Sequence, residues 1–195
     1  MTGKKNIGAE IAFCATPIVL CGTYDARERP NLATLAWAGI CCSKPPAVQI
    51  SLQRPRYTYS SIVERREFTV NIPSSSQAVA ADYCGLVSGS GADKFAAAGL
   101  TPRRGEFVNA PLVAEFPIGI ECRVIHTLEI GSHVLFVGEI LASWVSEDCL
   151  GPDGKTDPSL ASPLLFSPLG RGYHPIGNSV GRAFDIGKAL IRGEE

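Results

Sequence analysis

The sequence predicts a mainly β domain closed into a barrel, and three observations carry that prediction. The first is a long hairpin over residues 118–145. Ile118, Ile120, Cys122, Val124, Leu128 and Ile130 alternate with mostly polar residues, Gly131-Ser132 supplies a two-residue turn, and "HVLFVGEILASWV" returns apolar on both faces. A strand of that second kind is expected to be buried on both sides. The second observation is a series of shorter strand-like runs ahead of the hairpin, divided by Pro, Gly and polar turns. The third is that helical stretches are few and short. Long strands in a meander, with little helix between them, favour a barrel over a βαβ sheet.

The elements follow in order. "PIVLCGTYD" (17–25) is apolar and closes on the polar turn "ARERP" (26–30). "NLATLAWAGICCS" (31–43) is strand-like and rich in small residues, which lets another group approach its backbone. Pro45-Pro46 breaks that run, and "AVQISL" (47–52) alternates as a half-buried strand does. A short helix is expected over 58–65, with the hydroxyl of Thr58 or Ser60 as its cap. "EFTVNI" (67–72) is a further strand, ended by Pro73 and a serine triplet. Residues 77–86 and 92–98 read as helices, the second with Gly99 as C-cap. Residues 150–172, rich in Pro and Gly, wrap the surface, and 178–192 reads as a closing helix. One domain is expected over 1–195, with the barrel core at 16–145 and a wrapping segment at 146–195.

Composition narrows the function. With 195 residues, 45% of them apolar and 19% charged, the chain has enough apolar side chains for a sizeable core and too many for disorder. It also has apolar surface to spare for a partner subunit. A net charge of −1 with no long charge run excludes a nucleic-acid or membrane-surface role as the expectation, so any anion site must be local. The start "MTGKK" is polar and the apolar stretch after it is broken by Pro17, which reads as a cytoplasmic protein. The seven cysteines fit a reducing compartment and use as small core residues. Cys41 and Cys42, adjacent on a strand, should face opposite ways and pack. No CxxC is present, and a structural zinc site is not expected.

Two stretches carry candidate chemistry. "GLVSGSGADKF" (85–95) lacks the Gly-Lys-Ser/Thr of a P-loop and the spacing of a dinucleotide fingerprint. Its backbone N–H groups at Ser88, Gly89 and Gly91, with the Lys94 cation, suit either a plain turn or an anion contact. "QRPRYTYSS" (53–61) sets Arg54, Arg56, Thr58 and Ser60 at a helix start. There, unpaired N–H groups and a guanidinium suit a phosphate, and a solvated turn is the alternative.

No acid–base constellation emerges, and no Gly-x-Ser-x-Gly elbow supports a hydrolase. His126 and His133 read as structural. Glu139, opposite Val124 by simple pairing across the turn, should be buried and hydrogen-bonded. His174, in "GYHPIG", sits in a loop of a composition that can close over a site.

Residues 31–74 resemble the flavin reductase-like family, in its flavoredoxin and ferric reductase branch. The resemblance rests on Asn31, Thr34 and Trp37, the Pro45-Pro46 turn, Ser51, Arg56 with Thr58 and Ile62, and "FTVN" at 68–71. "SGSGADKF", "GLT", "APLVAEFPIGIEC" and "GSHVLFVGEI" extend it over about 16–145. It implies a six-stranded antiparallel split barrel that binds FMN, usually at a homodimer interface. It also implies roles residue by residue. Arg56 and Thr58 would hold the phosphate, helped by Lys94 and the Ser88-Gly89 backbone. Ser51, Leu52 and Gln53 would line the ribityl chain and ring edge. Asn31 belongs to the same binding set, Thr34, Ala36, Trp37 and Ala38 would meet the isoalloxazine, and Asn71 would stand near the ribityl chain. His174 is the catalytic candidate, as a donor to the ring or to substrate. The implied activity passes electrons from NAD(P)H or a redox protein to a small acceptor such as flavin or ferric iron. The rival expectations are a flavin carrier with no pyridine-nucleotide site and a barrel that has kept only the fold.

Overall fold

The structure is a computed structural model that describes residues 3–192. The strands ahead of the first helix are β1 (Thr16–Pro17), β2 (Val19–Tyr24), β3 (Pro30–Leu35), β4 (Ala38–Ser43) and β5 (Pro46–Gln53). Helix α1 (Tyr57–Arg65) and strand β6 (Glu67–Ile72) follow, then helices α2 (Ala78–Leu86) and α3 (Lys94–Ala98). The short β7 (Pro102–Arg104) and β8 (Pro111–Val113) lead into the long β9 (Ile118–Ile130) and β10 (His133–Val145). Helix α4 (Pro158–Ala161), β11 (Leu164–Ser167), β12 (Gly172–Pro175) and α5 (Lys188–Arg192) complete the described chain.

Seven strands form one antiparallel sheet in the order β3-β2-β6-β9-β10-β5-β4. The expected count was six. The seventh strand arises because the run 31–43 bends at Ala36–Trp37 and its halves pair with different neighbours, β3 with β2 and β4 with β5. That bend closes the sheet. A flat sheet of this order would hold its edge strands about 28 Å apart at the usual spacing. The two residues joining β3 to β4 span only about 11 Å at full extension. The edges must therefore meet, and the sheet rolls up on itself. No hydrogen-bonded ladder joins β3 to β4 among the described residues, so the cylinder is split there.

The roll encloses one core. Val19, Cys21, Val48, Ile50, Phe68, Val70, Cys122, Val134 and Phe136 fill it from the inner faces of the strands, and Ile62 of α1 plugs it. A second core lies outside the roll. Ile18, Leu20 and Leu32 meet Ala81 and Cys84 of α2, Phe95 of α3 and Leu164 of β11. β2 is buried along its whole length because it borders both cores.

Several expectations change. β10 alternates between buried Val134, Phe136 and Gly138 and half-buried Leu135, Val137 and Glu139, so it is not buried on both faces. A bulge at Ile125 shifts the hairpin by one residue, and Glu139 pairs with Arg123 rather than Val124. The fully buried carboxylate is Glu121, which the sequence reading passed over. It accepts from the N–H groups of Glu106, Phe107 and Val108 at 3.1, 2.6 and 2.9 Å and from Trp144 Nε1 at 2.7 Å. Cys14, Cys41 and Cys42 are exposed rather than packed. Cys41 is the unpaired residue of a bulge, so simple alternation does not apply to the Cys41-Cys42 pair. The expected helix over 178–192 shrinks to α5, while residues 164–175 form a hairpin that pairs with β1. No described helix is long and apolar enough to cross a membrane.

Candidate functional site

One end of α1 organises the site. Its N-cap is Arg56, in extended conformation and with no side-chain cap, rather than Thr58 or Ser60. Gln53-Arg54-Pro55 turns the chain out of β5, and Arg56 N donates to Gln53 O at 3.1 Å. The Tyr57 and Thr58 N–H groups at the start of this nine-residue helix receive no side-chain cap and lie at the positive end of its dipole, while Tyr59 N donates to Arg56 O at 2.9 Å. Thr58 is buried in that first turn, and its Oγ1 accepts from Asn31 Nδ2 at 2.8 Å. The Thr58 O–H is thereby directed to donate elsewhere.

Opposite α1 runs the loop between α2 and α3. Gly89 lies so close to Asn31 and Tyr57 that a Cβ at that position would overlap both. Any other residue there would force the loop or the Asn31 and Tyr57 side chains to shift. Lys94 follows, 5% exposed, with Nζ donating to Leu32 O at 2.6 Å and Cys84 O at 2.7 Å. An ammonium has three donors, so one remains. Burial draws its pKa down against the raising influence of Cys84, and the neighbouring Arg56 adds to the lowering. Arg56, Thr58, Ser88, Gly89 and Lys94 together line a hollow of about 170 Å³. No carboxylate lines it, so it is a pocket of donors.

This hollow shares Thr34, Arg56 and Leu86 with a larger cleft of about 290 Å³. Arg56 Nη1 donates to Gly85 O at 3.2 Å, which ties the guanidinium to the shared rim. Thr34, Ala36 and Trp37 come from the bend between β3 and β4, and Ser51, Leu52 and Gln53 from the end of β5. Ser51 N donates to Trp37 O at 2.8 Å and holds the two segments together. Ala38 lines an adjoining hollow with Gln49 and Ser51. The cleft thus joins most of the residues singled out from the sequence.

Three of them stand elsewhere. Asn71 is fully buried and occupied with its own strands: Nδ2 donates to Leu20 O and Thr69 Oγ1, and Oδ1 accepts from Val113 N. Asn31 sits behind the cleft and orients Thr58; its Oδ1 has no partner among the described residues. His174, the catalytic candidate, is exposed on β12 and lines neither hollow of the cleft, because its neighbour Tyr173 takes the inward position of that strand.

The cleft also contains residues the sequence reading left aside. His133 lines it, with its ring nearly parallel to that of Trp37 at 6.2 Å between centroids. Its Nδ1 is 2.8 Å from Ser132 Oγ. Its position follows from the pairing of β10 with β5, which sets His133 opposite Gln53. Tyr173 donates to Asp82 Oδ1 at 2.7 Å, and burial first and the carboxylate second push its pKa up to about 12. Phe166, against the Tyr173 ring, completes that wall. The signal for Phe166 and Tyr173 lay in the hairpin 164–175, which reads locally as a Pro/Gly-rich loop.

Known proteins share this fold. The chain is similar to the flavoredoxin of Desulfovibrio vulgaris (Miyazaki F), with 47% identity and a TM-score of 0.91 over 95% of this chain and all (100%) of that one. It is similar to the flavoredoxin of Methanosarcina acetivorans at 33% identity, with a TM-score of 0.89 over 97% of this chain and 100% of that one. It is 34% identical, over 57% of each chain, to the reductase component of a 4-nitrophenol 4-monooxygenase/4-nitrocatechol 2-monooxygenase of Rhodococcus opacus. The chain spans 72%, 65% and 63% of the lengths of three further curated relatives, none with a described activity. The fold is the split barrel expected from the sequence. The profile described as "Flavin reductase like domain" matches residues 11–177, and the chain belongs to that family.

Proposed function

We propose that the chain is an FMN-binding oxidoreductase of flavin reductase type, passing reducing equivalents from NADH, NADPH or a redox protein to a small acceptor such as free flavin or ferric iron. The observation that carries this reading is a continuous cleft with chemically different ends. One end is the donor pocket of Arg56, Thr58, Ser88, Gly89 and Lys94. The other is a wall of Ala36, Trp37, Ser51 and His133. A mononucleotide has the matching pattern, with a dianion at one end and a flat ring at the other.

The donor set fits the phosphate. A phosphate brings up to two negative charges, and the pocket offers a guanidinium, an ammonium with one N–H to spare, a hydroxyl and the open N–H groups of α1. Asn31 holds the Thr58 hydroxyl in its donating orientation. Ser51, Leu52 and Gln53 border the middle of the cleft, where the ribityl chain would run, and the small Ala36 and Ala38 leave room at the ring end. When bound, FMN supplies the electron-transfer chemistry, and the protein binds, orients and tunes it. His133 is the titratable side chain of the ring end that can hold or pass a proton there; the Tyr173 hydroxyl is committed to Asp82.

A second reading is a flavin carrier with no NAD(P)H site, and the 47% identity to a flavoredoxin favours it. One titration separates the two. Flavin-loaded protein is mixed anaerobically with NADH, then NADPH, and the flavin absorbance is followed. Bleaching on the turnover timescale supports the reductase. A flavin reduced only by dithionite or a redox protein supports the carrier. Protein that stays colourless after incubation with FMN defeats both.

A further inference from the structure

The stretch ahead of β1 crosses the mouth of the cleft. It is anchored at β1, where Thr16 and Pro17 pair with Phe166 and Leu165 and Thr16 Oγ1 donates to Phe166 O at 3.3 Å. Before that anchor, the hydrogen bonds among the described residues 3–15 are local. Gly8 N donates to Asn6 Oδ1 at 2.8 Å, and Ala12 N donates to Glu10 O at 2.8 Å. The second of these closes a three-residue turn with Ile11 at its apex.

Two hollows adjoin the cleft at its ring end. One, of about 590 Å³, shares Trp37, Asp82, Phe166 and Tyr173 with the cleft. The other, of about 680 Å³, shares Ala36, Trp37, Ser51 and His133 with it. Ile11 lines both hollows, and Phe13 lines the second. A molecule that approaches the ring end through either one therefore meets this stretch. Ile11 is 58% exposed and Phe13 64%, and neither belongs to the two cores. Their side chains overhang the mouth instead of stabilising the interior.

We propose that residues 10–14 form a strap that selects the electron acceptor, with Ile11 and Phe13 as the selecting side chains. They keep a flat acceptor from lying against the ring and leave passage for compact one-electron acceptors such as ferric complexes. The proposal rests on the flavin reading and narrows its acceptor class. Reduced FMN gives up two electrons and two protons. To a quinone these pass as a hydride and a proton, which yields the hydroquinone and oxidised FMN. A hydride moves only between atoms about 3–3.5 Å apart, so a flat acceptor must lie in contact with the ring. To two ferric complexes the electrons pass singly, which yields two ferrous complexes and oxidised FMN, with both protons released to solvent. A single electron does not require that contact, and an acceptor held off by two side chains still receives it.

The Ile11→Ser/Phe13→Ser variant tests the strap, and its fold is not at risk because both side chains lie outside the cores. The first measurement needs no cofactor. Acrylamide should quench the tryptophan fluorescence of the FMN-free variant more strongly than that of the unaltered protein. The change reports Trp37, because Trp144, the other tryptophan, stands at the far end of β10 from His133. Equal quenching overturns the placement of the strap. The second measurement uses flavin-loaded protein, photoreduced without oxygen and mixed in a stopped-flow instrument with ferricyanide or with 1,4-naphthoquinone. The substitutions should speed reoxidation by the quinone about tenfold, since contact geometry governs that step. Reoxidation by ferricyanide should stay within about twofold, as for surface substitutions. Equal acceleration with both acceptors overturns selection, and so does a quinone rate that does not change. Unaltered protein that never takes up FMN sinks the flavin reading itself, and the quenching measurement still decides whether the strap covers Trp37.

Discussion

The two ends of the cleft are built differently. The donor end is compact and closed: Thr58 and Lys94 are buried, Gly89 is pressed against α1, and each side chain has a partner fixing its direction. The ring end is open. Trp37 is 40% exposed, and its walls come from several stretches far apart in sequence. A site for a charged group must be preorganised, since each unpaired donor held in a low-dielectric pocket is costly. A site for a flat ring needs room and an access route. The donor end should therefore govern stability and affinity, and the ring end reactivity.

The strongest test of that division is Lys94. Replacing it with Met keeps much of its volume but removes the buried ammonium's bonds to Leu32 O and Cys84 O beside the second core. We expect a loss of about 2–4 kcal/mol in urea denaturation of the flavin-free protein. A stability unchanged within error would mean that the lysine serves the ligand alone, and the donor end would lose its structural role.

Arg56 is next. It is exposed, so Arg56→Ala should barely alter the stability of the flavin-free protein. It should weaken FMN binding by about 1.5–3 kcal/mol, the range for a hydrogen bond to a charged group. Riboflavin, which lacks the phosphate, should bind the variant and the unaltered protein equally. Equal losses for FMN and riboflavin in a fluorescence titration would place Arg56 at the ring instead.

How legible these ends were in the sequence follows from the same contrast. Arg56 and Thr58 lie in one turn, and Ser88, Gly89 and Lys94 in one loop, so local spacing displayed most of the donor end. The long hairpin and the β5, α1 and β6 segments were likewise legible, because period-two alternation and turn residues are local signals. His133, Asp82, Phe166 and Tyr173 could not be found that way. Their meeting depends on β10 pairing with β5 and on the β11–β12 hairpin returning to β1, contacts between residues far apart in sequence. The bulge at Ile125 was hidden for a related reason. One unpaired residue leaves the composition of a strand unchanged while moving its partners by one place.

Asp25 gives a smaller, pH-dependent test of the donor end, because it braces α1 from behind. Burial alone would raise its pKa, but the N–H of Arg29, the Tyr57 hydroxyl, the N–H of Arg27 and the Arg29 guanidinium outweigh it and hold the carboxyl well below the usual carboxylate range. A carboxyl whose folded pKa is depressed adds stability above its unfolded pKa of about 3.9, and that stability is lost as pH falls toward the folded value. Thermal melts should therefore show the protein weakening below about pH 4. Asp25→Asn should be less stable at neutral pH and should flatten the acid limb. Parallel curves for the two proteins would show that Asp25 does not link folding to protons.

The smallest effect is expected at His174, and its contrast with His133 tests the ring end. Both are histidines within reach of a cleft wall by sequence, yet alternation along β12 turns His174 outward, while pairing with β5 turns His133 in. His174→Ala should leave both flavin content and the rate of flavin reduction unchanged within about twofold, as surface substitutions do. His133→Ala should retain FMN, because the donor end is untouched, and should slow reduction by the effective donor about tenfold or more, the low end of what a positioned proton-transfer group contributes. Stopped-flow absorbance under anaerobic conditions measures both. If the two variants behave alike, the open end of the cleft does not act through His133. If His174→Ala is the slower one, the outward face of β12 rather than the His133 wall serves the ring end.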